Sequence, residues 1–344
     1  MKPVAILASG MMTGVGLNSP ATCAAMRANL SAFDETRFMN TDGEWIIGSQ
    51  VPLEKPWRGT TKLVRLVSSA IQECLAYDKT LKSESLPLLL CIAEKERPGR
   101  LEDLDDLLTL VQDQLGLKFH PHSECIAQGK VGGAVALQKA RQLLYEQGVG
   151  GCIIAGVDSF LVGTTLSTYE ARHRLLTGEN SNGFIPGEAG AAVLVALPVA
   201  KGPKQLQCLA LGFGKETATI DSENPLRADG LVEAYRALKQ DGGVTLDDTD
   251  YRYTDCNGEQ YGFKEDRLAF SRVVRKLKAR FDHLHPADSV GEIGAAVGPC
   301  ILGLALTAAQ KNYAPGTGIL CHLSNDDGER AAMILRYGEK GSVS

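Results

Sequence analysis

Cys152–Val157 reads CIIAGV, apolar or glycine at every position. A strand with one wet face would alternate; a solid apolar strand is covered on both faces, which calls for a sheet sandwiched between helices. VAILAS (Val4–Ser9) and LPLLLCIAE (Leu86–Glu94) share this character. Helical patterns lie between them. In TKLVRLVSSAIQECL (Thr61–Leu75), Leu63, Leu66, Ala70 and Cys74 recur at three- and four-residue steps. Ala21–Leu30 and Leu101–Gly116 also read as helices. So does the stretch around Ala136, Ala140 and Leu143, which Gly148 stops as C-terminal glycines commonly do.

A second series of the same kind begins near Leu206. It runs through a helix (Leu231–Gln240), a strand (Asp250–Gly258), two helices (Arg267–Phe281 and Gly294–Lys311) and strands at Thr317–Ser324 and AAMILRYG. Strand–helix alternation in two similar halves predicts an α/β layered fold. The break near residue 200 divides the chain into residues 1–200 and 201–344.

Charge and composition exclude several classes. A formal net charge of -5 leaves no electrostatic footprint for nucleic acid. No apolar run approaches the roughly 20 residues of a membrane span, and MKPVAILASGMM reads as a buried first strand, so a cytoplasmic protein is expected. The nine cysteines show no CxxC spacing, which argues against a disulfide framework or a zinc site. No metal and no cofactor are expected. His120 and His122, like His283 and His285, read as residues of solvated loops. The spacing of Gly10, Gly14 and Gly16 does not make a phosphate loop.

NGFIPGEAGAAVLVAL (Asn182–Leu197) resembles the DGFVxGEGAGxLVLE segment of β-ketoacyl-acyl-carrier-protein synthases. The opening VAILASGMMTGVGLNSPATCAAMRANLSAFDETRF resembles that family's first strand, glycine turn and first helix. GAVALQKARQLLYEQGVGGCIIAGVDS resembles its nucleophile helix and the strand that follows. The resemblance implies a thiolase-like αβαβα fold of two duplicated halves, usually a homodimer, with acyl-carrier-protein or acyl-CoA thioesters as ligands. Glu188 and its neighbouring glycines would then shape a turn and the inner wall of the site.

The resemblance fails where the chemistry belongs. A condensing enzyme needs a thiolate at the mouth of that helix, where the helix N-terminus lowers a cysteine's pKa. The cysteine's place falls on Lys130. Two histidines should supply donors for charge that develops in the transition state; their places hold Asn257 and Glu292. The closing glycine loop is replaced by CHLSNDDGER, with Asp326 and Asp327. Loss of a nucleophile alone costs on the order of a millionfold in hydrolase triads. The expectation is therefore a catalytically degenerate ketosynthase-like adaptor, scaffold or partner subunit. The alternative is an acyltransferase with a substitute nucleophile, Cys125 or Cys256. The SGMMTGVGLNSPATCAA opening also resembles ketosynthase-like proteins encoded near type VI secretion effector genes, which implies a secretion effector or its adaptor as partner.

Overall fold

The computed structural model of the chain describes residues 2–199 and 202–339. The expected boundary at residue 200 lies outside the described residues. The first series comprises β1 (Val4–Thr13), α1 (Ser19–Arg27), β2 (Phe33–Met39), β3 (Trp45–Ser49), α2 (Gly59–Leu75), β4 (Leu88–Ile92), α3 (Leu107–Leu115), β5 (Glu124–Ala127), α4 (Gly132–Glu146), β6 (Cys152–Ser159), α5 (Gly163–Ala171) and β7 (Glu188–Ala196). The second comprises β8 (Gln205–Lys215), α6 (Asp229–Gly242), β9 (Tyr251–Thr254), α7 (Gln260–Val273), β10 (His283–Leu284), α8 (Ala287–Val290), α9 (Val297–Gln310), β11 (Gly318–Ser324) and β12 (Glu329–Gly338).

The duplication is visible in the strand order. Outward from the central seam, the first half runs β1-β7-β6-β4-β5 and the second β8-β12-β11-β9-β10. If the five sheet strands of each half are lettered a to e in chain order, both halves read a-e-d-b-c. The directions match as well: the two inner pairings are antiparallel and the two outer ones parallel. A short antiparallel contact, Val4–Ile6 with Leu206–Cys208, joins the halves.

The core divides into layers. One apolar cluster joins α4 and α9 to the inner faces of both half-sheets. A second lies under α2 and α3 on the first half's outer face, and a third under α6 on the second half's. The expected αβαβα layering is therefore the observed one. Its middle layer explains why α9 (VGPCILGLALTAAQ) is apolar almost all round: twelve of its fourteen residues are buried, so it has no wet stripe.

Three local expectations need correction. Helix Arg267–Phe281 instead spans Gln260–Val273, starting seven residues earlier and ending before a basic, nonhelical stretch. Leu101–Gly116 is a 3-10 turn (Glu102–Asp106) followed by α3, with a kink at Asp103. His283 is not in a solvated loop: it forms β10, and its Nε2 and the Thr254 hydroxyl share a 2.7 Å hydrogen bond. Gly10 is a packing residue in β1, where a Cβ would lie 2.0 Å from the Ala70 carbonyl oxygen of α2.

Candidate functional site

The middle layer fixes the site. α4 and α9 meet at glycines of their first turns: a Cβ on Gly133 would lie 2.9 Å from the Gly298 Cα, and the converse holds. Each helix is preceded by a 3-10 turn, Gly129–Val131 and Gly294–Ala296. Each turn opens on a glycine with φ near +50°, a conformation that favours glycine. Added side chains there would strike carboxylates, Glu94 Oε2 at 2.1 Å from Gly129 and Asp158 Oδ2 at 2.0 Å from Gly294. The two helix mouths thus converge, and loops after β9 and β11 close over them.

Lys130, Asn257 and Glu292, far apart in sequence, come together at this mouth. Lys130 Nζ lies 3.3 Å from Asp255 Oδ2 and 3.4 Å from Glu292 Oε2. Asn257 Nδ2 donates to Glu292 Oε2 at 2.8 Å, and the Gly294 amide donates to Glu292 Oε1 at 2.9 Å. Burial alone would lower the lysine's pKa. The carboxylates of Glu292, Asp255, Asp326 and Glu259 overcome that and hold it well above the ordinary lysine range. The ammonium is thereby kept charged, despite the unfavourable helix dipole, and a charged ammonium is no nucleophile.

A second cation completes the network. Arg174 donates from Nε and Nη2 to Glu259, at 2.7 and 2.8 Å, and from Nη1 to Asp326 Oδ2 at 2.6 Å. On the other side of Lys130, Arg97 pairs with Asp158 at 2.6 Å. The amides at the two helix mouths, Val131 and Gly294, are occupied. Asn325 accepts from the Val131 amide at 3.3 Å and donates to the Gln128 carbonyl at 2.9 Å, which ties β11's end to the α4 mouth. The space left beside Lys130 is about 40 Å³ on one side and about 20 Å³ on the other. One water needs roughly 10–15 Å³ by this measure, so the site holds a few waters and no acyl chain.

Neither alternative cysteine presents a thiolate. Cys125 sits in β5 and packs into the cluster under α3, on the opposite face of the sheet from α4. Burial pushes its thiol up. Cys256 does border the Lys130 pocket, and so does His322. Burial, followed by the Asp255 charge, raises the Cys256 thiol far above its usual value. Burial also pushes the His322 imidazole down to about 4, and its Nδ1 is 2.9 Å from the Tyr235 hydroxyl. No hydrogen bond joins Cys256 to His322 among the described residues. Glu188 is a brace: it accepts from the Val51 amide and the Ser159 hydroxyl and pairs with Lys62.

Sequence reasoning did not single out Asp255, Glu259, Arg174, Asn325 or Glu94. No periodicity marks Asp255 or Glu259, because β9 ends at Thr254 and the chain turns at Gly258 with φ of +112°. Arg174 lies in an irregular segment with no periodicity to read.

Glu94 supplies a pH signature. Burial raises its carboxyl to about 7, against the opposing pull of Arg97. A folded-state pKa above the unfolded value stabilises fully below the unfolded pKa and loses that contribution as pH rises through the folded one. The stability of the native protein relative to Glu94→Gln is therefore expected to fall by about 2–3 kcal/mol between pH 4.5 and 8. Denaturant titrations of both proteins across that range check this; a pH-independent difference contradicts it.

No family model matches the sequence, and no curated protein matches it. Solved structures do match along nearly their full length. The ishigamide ketosynthase/chain length factor superposes with a TM-score of 0.78 at 14% identity, covering 98% of this chain and 99% of that one. A ketosynthase in complex with its chain length factor from Xenorhabdus doucetiae gives 0.73 at 13% identity, covering 97% and 98%. A β-ketoacyl synthase from Burkholderia phymatum gives 0.76 at 13%, covering 98% and 100%. The chain therefore has the layered, thiolase-like fold of the ketosynthases, built around a helix mouth that carries a lysine.

Proposed function

We propose that this chain is a catalytically degenerate ketosynthase-like protein that works as an adaptor, scaffold or partner subunit. One observation carries the reading: the residue at the mouth of the central helix is an ammonium locked between Asp255 and Glu292. The filled acyl space and the occupied Val131 and Gly294 amides support it. A site that is internally satisfied gains nothing from a reacting thioester and contributes rigidity instead.

The first partner proposed is a second copy of this chain. β5 is the outermost strand of the first half and pairs on one side only, with β4, among the described strands. A two-fold axis beside it would continue the sheet and cover that edge. The second partner is a protein client. The resemblance of the opening segment points to a type VI secretion effector or its adaptor, and an acyl-carrier protein is the client that the fold suggests. Light scattering on the purified chain is expected to give the mass of a dimer. Affinity capture from the native host, at native expression level, is expected to co-purify a stoichiometric client. A monomer recovered alone contradicts the proposal.

A residual acyltransferase is the second reading. It is favoured by the shared border of Cys256 and His322 on one pocket, and it requires a covalent acyl adduct on Cys256.

A further inference from the structure

A half-open cavity larger than the space beside Lys130 lies elsewhere in the molecule. It lies at the other end of the middle layer, between α1, the later turns of α9, and the β9–β10 edge. Its volume is about 250 Å³, and no residue that lines it borders the Lys130 mouth. One wall is apolar, formed by Met26, Leu284, Leu304 and Ala308, with the rings of Tyr253 and Tyr313 beside them.

Two groups here, one buried and one at the solvent-exposed rim, donate no side-chain hydrogen bond among the described residues. Tyr253 is only 8% exposed, and its hydroxyl makes no hydrogen bond among the described residues. The hydroxyl of its neighbour Tyr251 is fully buried; that of Tyr253, whose residue lines the cavity, is not. Arg27, at the rim, lies 4.4 Å over the Tyr313 ring and forms no ion pair among the described residues. The remaining charge, Asp288, lies 2.8 Å from His285 Nδ1, and its side chain is mostly in solvent.

Unpartnered donors call for an acceptor, and a guanidinium favours an anionic one that can take two N–H bonds. The apolar wall calls for a hydrocarbon body. We propose that this cavity binds a medium-chain carboxylic acid, with its carboxylate on Arg27 and its chain along Met26, Leu304 and Ala308. Size sets the length. Benzene, with six non-hydrogen atoms, occupies an apolar cavity of roughly 150 Å³. The same ratio gives about ten non-hydrogen atoms here, the size of octanoate.

Calorimetric titration of the full chain with octanoate tests this, with 1-octanol as the probe that keeps the body and drops the charge. Saturable binding of one octanoate per chain is expected, with octanol at least about tenfold weaker, since a hydrogen bond to a charged group contributes about 1.5–3 kcal/mol. Arg27→Gln, at an exposed position, is expected to weaken octanoate about tenfold and leave octanol unchanged. Ala308→Phe, which fills the cavity from α9, is expected to abolish both. The proposal is overturned if octanoate fails to saturate at millimolar concentration, or if it binds no better than octanol and Arg27→Gln does not weaken it. Neither result bears on the reading of the Lys130 mouth, because the two sites share no lining residue.

Discussion

Lys130→Met is expected to destabilise the fold by about 3 kcal/mol, the lower end of the range for breaking a buried ion pair. The lower end applies because the lysine side chain keeps 17% of its exposure. Methionine matches the stem of the lysine and removes only the charge. Asp255 and Glu292 then lose their shared cation, and the remaining cations, Arg174 and Arg97, are committed to Glu259, Asp326 and Asp158. The cost arises from carboxylates left buried without a counter-charge, so removing one of them should recover part of it. Glu292→Gln in the Lys130→Met background is expected to restore about 1–2 kcal/mol, whereas the same change in the native protein should destabilise. Denaturant titration of the four proteins gives the coupling directly. If Lys130→Met is as stable as the native chain, the ammonium is not held for structure, and a chemical role for it returns.

Gly133→Val is expected to cost more than the usual 1–3 kcal/mol of an overpacked core. The obstacle is backbone: the new Cβ would meet the Gly298 Cα at 2.9 Å and its carbonyl carbon at 3.4 Å, and neither can rotate away. To accept valine, α4 and α9 must separate, which opens the apolar cluster shared by both half-sheets. Removing a helical glycine returns only about 1 kcal/mol of propensity. Gly150→Ala is the control. Nothing lies within 4 Å of its added Cβ and its φ is not in the left-handed region, so stability should change by less than about 0.5 kcal/mol. Thermal unfolding of the two variants against the native chain reads both effects; equal stability would mean that the helix crossing is not the tight one described.

The layers were legible because they rest on long-range pattern. Apolar runs such as CIIAGV and VAILAS have few ways to be covered, and the all-apolar α9 belongs in a middle layer for the same reason. Boundaries were less legible. The basic run RKLKAR continues the periodicity of α7, but the helix stops at Val273 and Leu277 in that run is left exposed. At the site, Lys130, Asn257 and Glu292 were singled out by their motifs and do come together. Their meaning was not legible. A lysine at a helix mouth looked misplaced until Asp255, Glu259 and Asp326 surrounded it, and these arrive from strand ends more than 120 residues away. The accommodation is tertiary and ionic. Glu292 is paired with Lys130 and accepts hydrogen bonds from Asn257 and the Gly294 amide.

At the mouth of α4 stands an ion network whose members already satisfy one another, and under the proposed function nothing in it awaits an acyl group. Intact-mass spectrometry of the full chain after incubation with acyl-CoA and acyl-carrier-protein thioesters puts that to the test. The expected spectrum shows only the unmodified mass at every chain length. A stoichiometric acyl adduct that maps to Cys256, Cys125 or Lys130 and turns over with time would contradict it.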